Sequence, residues 1–197
     1  MQDRLETQRL ILRRFTSQDG DDLYEYLCDA ETVKYEPYDP FTLEQACSEA
    51  ARRTADPSFW AVCEKDTGKL IGNLYFCRQQ PEEFLSWEIG YVFNRRYGGR
   101  GYATEAALRM LQYGFEVCGA HRIEAHCNPE NTRSWQLLER IHMRREGHFP
   151  KKATFRNDDA GNPIWHDAYA YGMLEEEWRR VVAALAHGGE RAATAFR

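Results

Sequence analysis

The run Asn94-Arg95-Arg96-Tyr97-Gly98-Gly99-Arg100-Gly101-Tyr102-Ala103-Thr104-Glu105-Ala106 decides how this chain folds, because it joins an apolar strand to an amphipathic helix through a loop of glycines and arginines. Upstream, Trp87, Ile89, Tyr91 and Phe93 alternate with Glu88, Gly90 and Val92, which is the period of a strand. Downstream, Ala103, Ala106, Ala107, Met110, Leu111, Gly114 and Phe115 recur at the spacing of a helix stripe. The loop therefore lies at a helix N-terminus, where free backbone N–H groups and the positive end of the helix dipole attract an anion. Glycines let the backbone approach that anion closely, and Arg95, Arg96 and Arg100 add charge. The stretch reads as a phosphate cradle.

Its type is narrowed by spacing. No Gly-Lys-Ser/Thr follows, which excludes the P-loop of nucleotide hydrolases. A dinucleotide fingerprint fits poorly, since Thr104 stands three residues after Gly101 where glycine or alanine is needed, and the loop does not follow a first strand.

Working outward, Leu10 to Arg13 reads as a strand, and Ser17 to Leu27 as a helix with Ser17 or Asp19 as cap. Thr42 to Ala51 reads as a second helix with a Thr42/Gln45 capping box. Trp60 to Cys63 and Leu70 to Phe76 form strands joined by a tight Asp66-Thr67-Gly68-Lys69 turn. Past the loop helix come a strand from Ile123 to Cys127, a helix from Thr132 to Ile141, strands at Met143 to Phe149 and Ala168 to Leu174, and a helix from Glu175 to Ala186. A strand-helix-strand unit inside a run of antiparallel strands demands one parallel pair, hence a mixed sheet with helices on both faces.

At 197 residues and 43% hydrophobic content the chain suits one domain over 1–197, with a C-terminal helix and tail from about 175. With 26 basic against 31 acidic residues, net −5, there is no global field for nucleic acid or an anionic membrane, so the clustered arginines point to a local anion site. Six cysteines without a CxxC pair, and histidines without ligand spacing, point to a reduced, cytoplasmic protein and to no metal. No signal-peptide core and no run of about 18 apolar residues is present.

Arg96, Gly99 and Gly101 occupy an RxxGxG pattern that resembles the pyrophosphate loop of the GNAT superfamily of acyl-CoA-dependent N-acyltransferases, and most closely its RimJ/RimL-like branch of ribosomal-protein N-acetyltransferases. Thr7 to Arg13, Trp60-Ala61-Val62, Leu70-Ile71-Gly72, Glu88 to Tyr91, Asn128 to Ser134, Glu146-Gly147 and Trp165-His166-Asp167 resemble further segments of that branch in order. The resemblance implies a GNAT-like α/β fold, with a central, mixed, mostly antiparallel sheet of about seven strands whose parallel pair splays apart. It also implies acetyl-CoA as co-substrate, bound by Val92, Phe93, Arg96, Gly98, Gly99, Arg100, Gly101, Tyr102, Ala103 and Asn131, with no metal. The acceptor would be a protein N-terminal amine or a small-molecule amine. An isologous homodimer is the default assembly.

Acetyl transfer to an amine needs three things. The amine, whose pKa is about 10 when free, must lose a proton, and Glu88 is placed to take it through water or else is an ordinary charged residue on a solvated strand face. The oxyanion needs a positioned backbone N–H, which the resemblance locates near Val92, with Val92 and Phe93 pairing the pantetheine arm. The departing thiolate needs a proton. Many superfamily members use a helix tyrosine, but the aligned residue is Leu138, leaving Ser134 as the available hydroxyl or as a local backbone-bonding residue. Asn131 either contacts the CoA arm or caps its helix.

Two other departures are Gly98, where the branch has a bulky aromatic, and His142, where a glycine commonly ends the helix with positive φ. His126 and His148 sit on strands that could face the acceptor, whose specificity is expected from loops at about 30–41 and 150–165. The departures leave open a CoA-binding sensor or interaction module without turnover, and a further alternative is an acyltransferase using another donor such as succinyl-CoA.

Overall fold

The computed structural model describes residues 2–187, so the tail expected beyond the last helix lies outside the described residues. Among the described residues eight strands build one sheet: β1 (Arg4–Glu6), β2 (Leu10–Arg13), β3 (Phe59–Glu64), β4 (Leu70–Arg78), β5 (Ser86–Phe93), β6 (Arg122–Cys127), β7 (Arg144–Asn157) and β8 (Pro163–Leu174). Their spatial order is β1-β2-β3-β4-β5-β6-β8-β7, and β5 with β6 is the parallel neighbour pair. The expected mixed, mostly antiparallel architecture is present, with β1 as an additional strand. Three residues with only Leu5 buried leave no periodicity for a sequence reading to detect.

Alternation along the strands splits the core in two. Trp60 and Val62 face the side covered by α3 (Tyr102–Glu116), while Ala61 and Cys63 face α1 (Gly20–Leu27) and α2 (Leu43–Thr54). Trp178 of α5 (Glu175–His187) joins the α3 side. The Thr42/Gln45 capping box forms as expected, Gln45 N–H donating to Thr42 Oγ1 at 3.2 Å and Thr42 N–H to Gln45 Oε1 at 2.8 Å. The helix read from Ser17 instead begins with a 3-10 turn at Ser17–Asp19 and turns α-helical at Gly20. Asp19 holds the Thr16 N–H at 2.7 Å while also pairing with Arg13 at 2.6 Å.

The segment expected to be an acceptor loop at 150–165 is instead mostly the outer half of a long β7–β8 hairpin, with Thr154 opposite Trp165 and Arg156 opposite Ile164. Most of its positions are exposed on both faces, so no buried alternation marks it in the sequence. Only cross-strand pairing holds it. Arg156 ties this arm back to the segment before α2, its Nη2 donating to Tyr38 O at 2.8 Å and its Nη1 to Lys34 O at 3.0 Å.

The start of α3 is fixed by a buried carboxylate. Glu105, 7% exposed, accepts from Thr7 Oγ1 at 2.6 Å, Arg9 N at 2.9 Å and Arg9 Nε at 2.7 Å. Arg9 Nη1 also donates to Arg100 O at 2.9 Å, so one ion pair joins the entry of β2 to the glycine loop. Arg9 is partly solvated, which weakens the pair, but its loss strands a buried hydroxyl and an amide. Glu105→Ala should lower stability by about 2 kcal/mol, read as an earlier urea midpoint with an unchanged slope.

Candidate active site

Backbone parity on β5 defines the site. At one end of the β4–β5 ladder Asn94 N–H donates to Ile71 O at 2.9 Å, and at the other Gln79 N–H donates to Ser86 O at 2.8 Å, with unbroken register between. In an antiparallel ladder these bonds recur every second residue, so Glu88, Gly90 and Val92 turn their main chain to β4. Ile89, Tyr91 and Phe93 turn theirs toward β6. Yet β6 pairs with β5 only at Ser86–Arg122, Trp87–Ile123 and Glu88–Glu124. The Glu88–Glu124 pairing runs through the main chain of Trp87 and Ile89, which commits the Ile89 N–H to Glu124 O; past that point the strands part, and the N–H and C=O groups of Tyr91 and Phe93 face an open cleft. Val92 has its amide committed to β4 opposite Asn73 and its side chain in the core on the α1 side, so the main chain near it that faces the cleft is that of Tyr91 and Phe93.

The cleft, of about 1920 Å³, runs from the glycine loop through the gap to the segment before α2. At the loop end Gly99 and Gly101 have φ of 74° and 81°, conformations that favour glycine. Gly101 is the N-cap of α3 and supplies no side-chain cap. Among the described residues the amides from Gly99 to Thr104 have no protein acceptor, while Gly98 N–H is used by Arg95 O at 3.0 Å. A Cβ on Gly99 would meet nothing within 4 Å, whereas one on Gly98 would come within 3.0 Å of Arg95 O. The absence of an aromatic at 98 thus matches a tight turn. Arg96 gives its own N–H to Asn94 Oδ1 at 3.0 Å and keeps its side chain exposed. Arg95 sits 3.6 Å from Asp29, and Arg100 lies 5.6 Å over the Tyr97 ring. Tyr102 donates to Glu64 at 2.6 Å, and the Arg9 guanidinium lies 4.6 Å over its ring. Ala103 lies in the first turn of α3, lining the cleft.

Across the gap stands α4 (Thr132–Arg140), capped by Asn131, whose Oδ1 accepts from Ser134 N at 3.2 Å. Ser134 Oγ lies 3.0 Å from the Tyr91 hydroxyl, which also donates to Ser134 O at 2.9 Å. Burial raises the Tyr91 phenol above its usual value, the Ser134 bond opposing. Leu138, where many relatives by resemblance carry a tyrosine, is 1% exposed in the core. His142 does adopt the expected positive φ, at 66°. Sequence reasoning gave Tyr91 only to an apolar face, because alternation reports the direction of a side chain and not the reach of its hydroxyl.

On the other face of the sheet Glu88 lies in the cleft with its Oε1 3.7 Å from His126 Nδ1, an ion-pair separation rather than a direct hydrogen bond. The Glu88 carboxylate raises the His126 pKa above 6.5, burial opposing. His148 is instead engaged by Asp167 at 2.8 Å, far along the arm's ladder. Among the described residues no group of three or more His, Cys, Asp or Glu side chains could hold a metal, and no helix is long and apolar enough to cross a membrane.

A family model for the acetyltransferase (GNAT) domain matches residues 9–144. The chain belongs to the GNAT acetyltransferase family. This acyltransferase is 39% identical over 175 residues, 88% of its length and 98% of the relative's, to "Uncharacterized N-acetyltransferase YnaD" of Bacillus subtilis. It is 24% identical over 156 residues, covering 74% of this chain and 80% of the relative, to the ribosomal protein uS5-alanine N-acetyltransferase of Escherichia coli. The crystal structure of a GNAT-family acetyltransferase from Bacillus anthracis superposes with a TM-score of 0.79 at 37% identity, covering 88% of this acetyltransferase and 99% of that chain.

The Glu88–His126 pair makes a measurable prediction. With the histidine raised, its contribution favours the fold below pH 6.5 and fades as pH rises through the shifted value. Both groups are more than a third exposed, so the effect on stability is small. Glu88→Gln should return the His126 titration midpoint to the ordinary histidine range, followed by NMR of its imidazole Cε1–H.

Proposed function

We propose that this acetyltransferase moves an acetyl group from acetyl-CoA directly to a primary amine bound in the same cleft. The observation that carries the reading is the continuity of unpaired main-chain donors, from Gly99–Thr104 at the loop to Phe93 and Tyr91 on β5. A diphosphate fits the first set by charge and dipole. An extended amide-bearing arm fits the second as an added strand does. The CoA thioester supplies an activated acyl group.

Residues of the cleft match the remaining demands. Glu88 accepts the amine's proton through water, with His126 beside it as a second titrating group. A free amide on the odd-numbered side of β5 receives the oxyanion that develops as the amine adds. The Tyr91–Ser134 hydroxyl pair lies across the gap as the proton source for the thiolate. Asn131, with its Oδ1 committed to the cap, has its amide nitrogen available to the CoA arm. A covalent acyl-cysteine finds little support, because burial pushes the Cys127 thiol, which lines the cleft, up to about 11. Likeness to the uS5-alanine N-acetyltransferase supports a RimJ/RimL-like placement, though the acceptor itself follows from other residues.

Free-thiol release from acetyl-CoA over an amine panel tests the reading. Glu88→Gln should lower kcat about a hundredfold while CoA affinity changes less than about twofold. An unchanged kcat would remove Glu88 from the mechanism. Gly99→Glu should raise the CoA Kd at least about a hundredfold, an outcome expected from placing a carboxylate at the diphosphate. Its folding cost should be only about 1–2 kcal/mol of positive-φ strain. Retained affinity would displace the cradle.

A further inference from the structure

At the end of the cleft away from the glycine loop, Arg53 of α2 is 3% exposed yet lines the cavity. Its guanidinium lies 4.3 Å from the Phe59 ring and 5.2 Å from the Phe15 ring, so its plane is held by aromatic packing. Nε donates to Glu49 Oε1 at 2.7 Å, but Nη1 is buried with no hydrogen-bond partner among the described residues. Glu49 is itself divided, because Arg52 takes both of its oxygens, at 2.7 and 2.8 Å. A buried guanidinium with an unsatisfied edge is costly, and planar bidentate partners are what such an edge accepts best.

The sheet places this edge opposite the amine chemistry. Phe59 pairs with Tyr75, and Tyr75 with Gly90, so the three form one row across β3, β4 and β5 on the face that carries Glu88. The Phe59 and Tyr75 rings meet edge to face at 5.4 Å. Two strand spacings across and two residues along β5 separate the Phe59 position, on which Arg53 stacks, from Glu88 by about 12 Å. Glu36 and Tyr38 line the same end of the cleft, and Arg156 pins their segment through Lys34 O, Tyr38 O and Asp39 Oδ1, the last at 2.9 Å. Burial pushes the Glu36 carboxyl up to about 7, Arg53 opposing, so Glu36 leaves much of the guanidinium charge unmatched near neutrality.

We infer that Arg53 is the acceptor's carboxylate anchor, and that the acceptor is a small amino acid whose amine points to Glu88 while its carboxylate meets the open edge of the Arg53 guanidinium. The inference rests on the acetyl-transfer reading and narrows it, since a protein N-terminal residue has no α-carboxylate to offer. A contact allowance of about 3 Å at the guanidinium and about 6 Å at Glu88, where a water intervenes, leaves a carboxylate-to-amine span of about 3 Å, or about 6 Å if Glu88 acts directly.

The test is calorimetric titration of the CoA-loaded protein with matched pairs: L-α-amino acids against their carboxamides, and ω-amino acids of three to six carbons against the alkylamines of equal length. At least one carboxylate should bind tenfold or more tightly than its uncharged partner. Arg53→Lys should cut that preference to twofold or less. Should Arg53→Lys fail to fold, Glu49→Gln carries the test with opposite sign, because removing the competing carboxylate should tighten carboxylate binding severalfold. Equal binding of both members of every pair by the natural protein, or a preference that survives Arg53→Lys, overturns the anchor. Free-thiol release measured on the same pairs separates the two readings, since transfer without carboxylate preference sinks the anchor alone. CoA that fails to bind in the loading step sinks acetyl transfer, and the anchor with it.

Discussion

The arrangement depends on two neighbouring strands being held on their outer sides and released from each other. β5 is laddered to β4 along its length and β6 to β8, whereas β5 and β6 share only three residue pairs before they part. Each strand can keep its extended geometry without the other. The groups that parting exposes would be expensive if sealed in protein, each unsatisfied amide costing about 1–3 kcal/mol. They line a broad cleft instead, where solvent or a ligand can satisfy them. Tyr91 reaches across this gap to Ser134 and ties β5 to the start of α4, so the opening has a fixed width.

The cradle inherits its position from the same scaffold. Asn94 closes the β4–β5 ladder with its N–H and caps the next turn with its side chain, so the chain leaves the sheet in a set direction. Gly99 and Gly101 then take left-handed conformations that turn a run of amides outward. Arg9 and Glu105 lock the result to β2 from behind. An arginine that holds both the Arg100 carbonyl and the Glu105 carboxylate acts as a brace, although its charge resembles that of a ligand-binding arginine.

Much of this was legible in the sequence because it follows from local rules. Period-two and helix-stripe spacing located β5 and α3, the glycines located the loop, and the Thr42/Gln45 box located α2. What was missed depends on long-range register. Whether Val92 or its odd-numbered neighbours face the gap is decided by where Asn94 meets Ile71, which no local pattern records. The outer β7–β8 arm escaped notice because neither of its faces is buried, and β1 because it is three residues long. Arg53 was hidden for a further reason: within α2 it reads as one more basic residue near a helix end, and only the fold places Phe15 and Phe59 around it.

The central claim is that the amides from Gly99 to Thr104, with those of Tyr91 and Phe93, form one continuous track for coenzyme A. Backbone amide shifts of the 15N-labelled protein, titrated with CoA and separately with pantetheine, test it directly. CoA should move both sets, and pantetheine, which lacks the diphosphate, should move the β5 set alone. If the amides from Gly99 to Thr104 stay still at saturating CoA, or if Val92 and Gly90 move while Tyr91 and Phe93 do not, the account is contradicted.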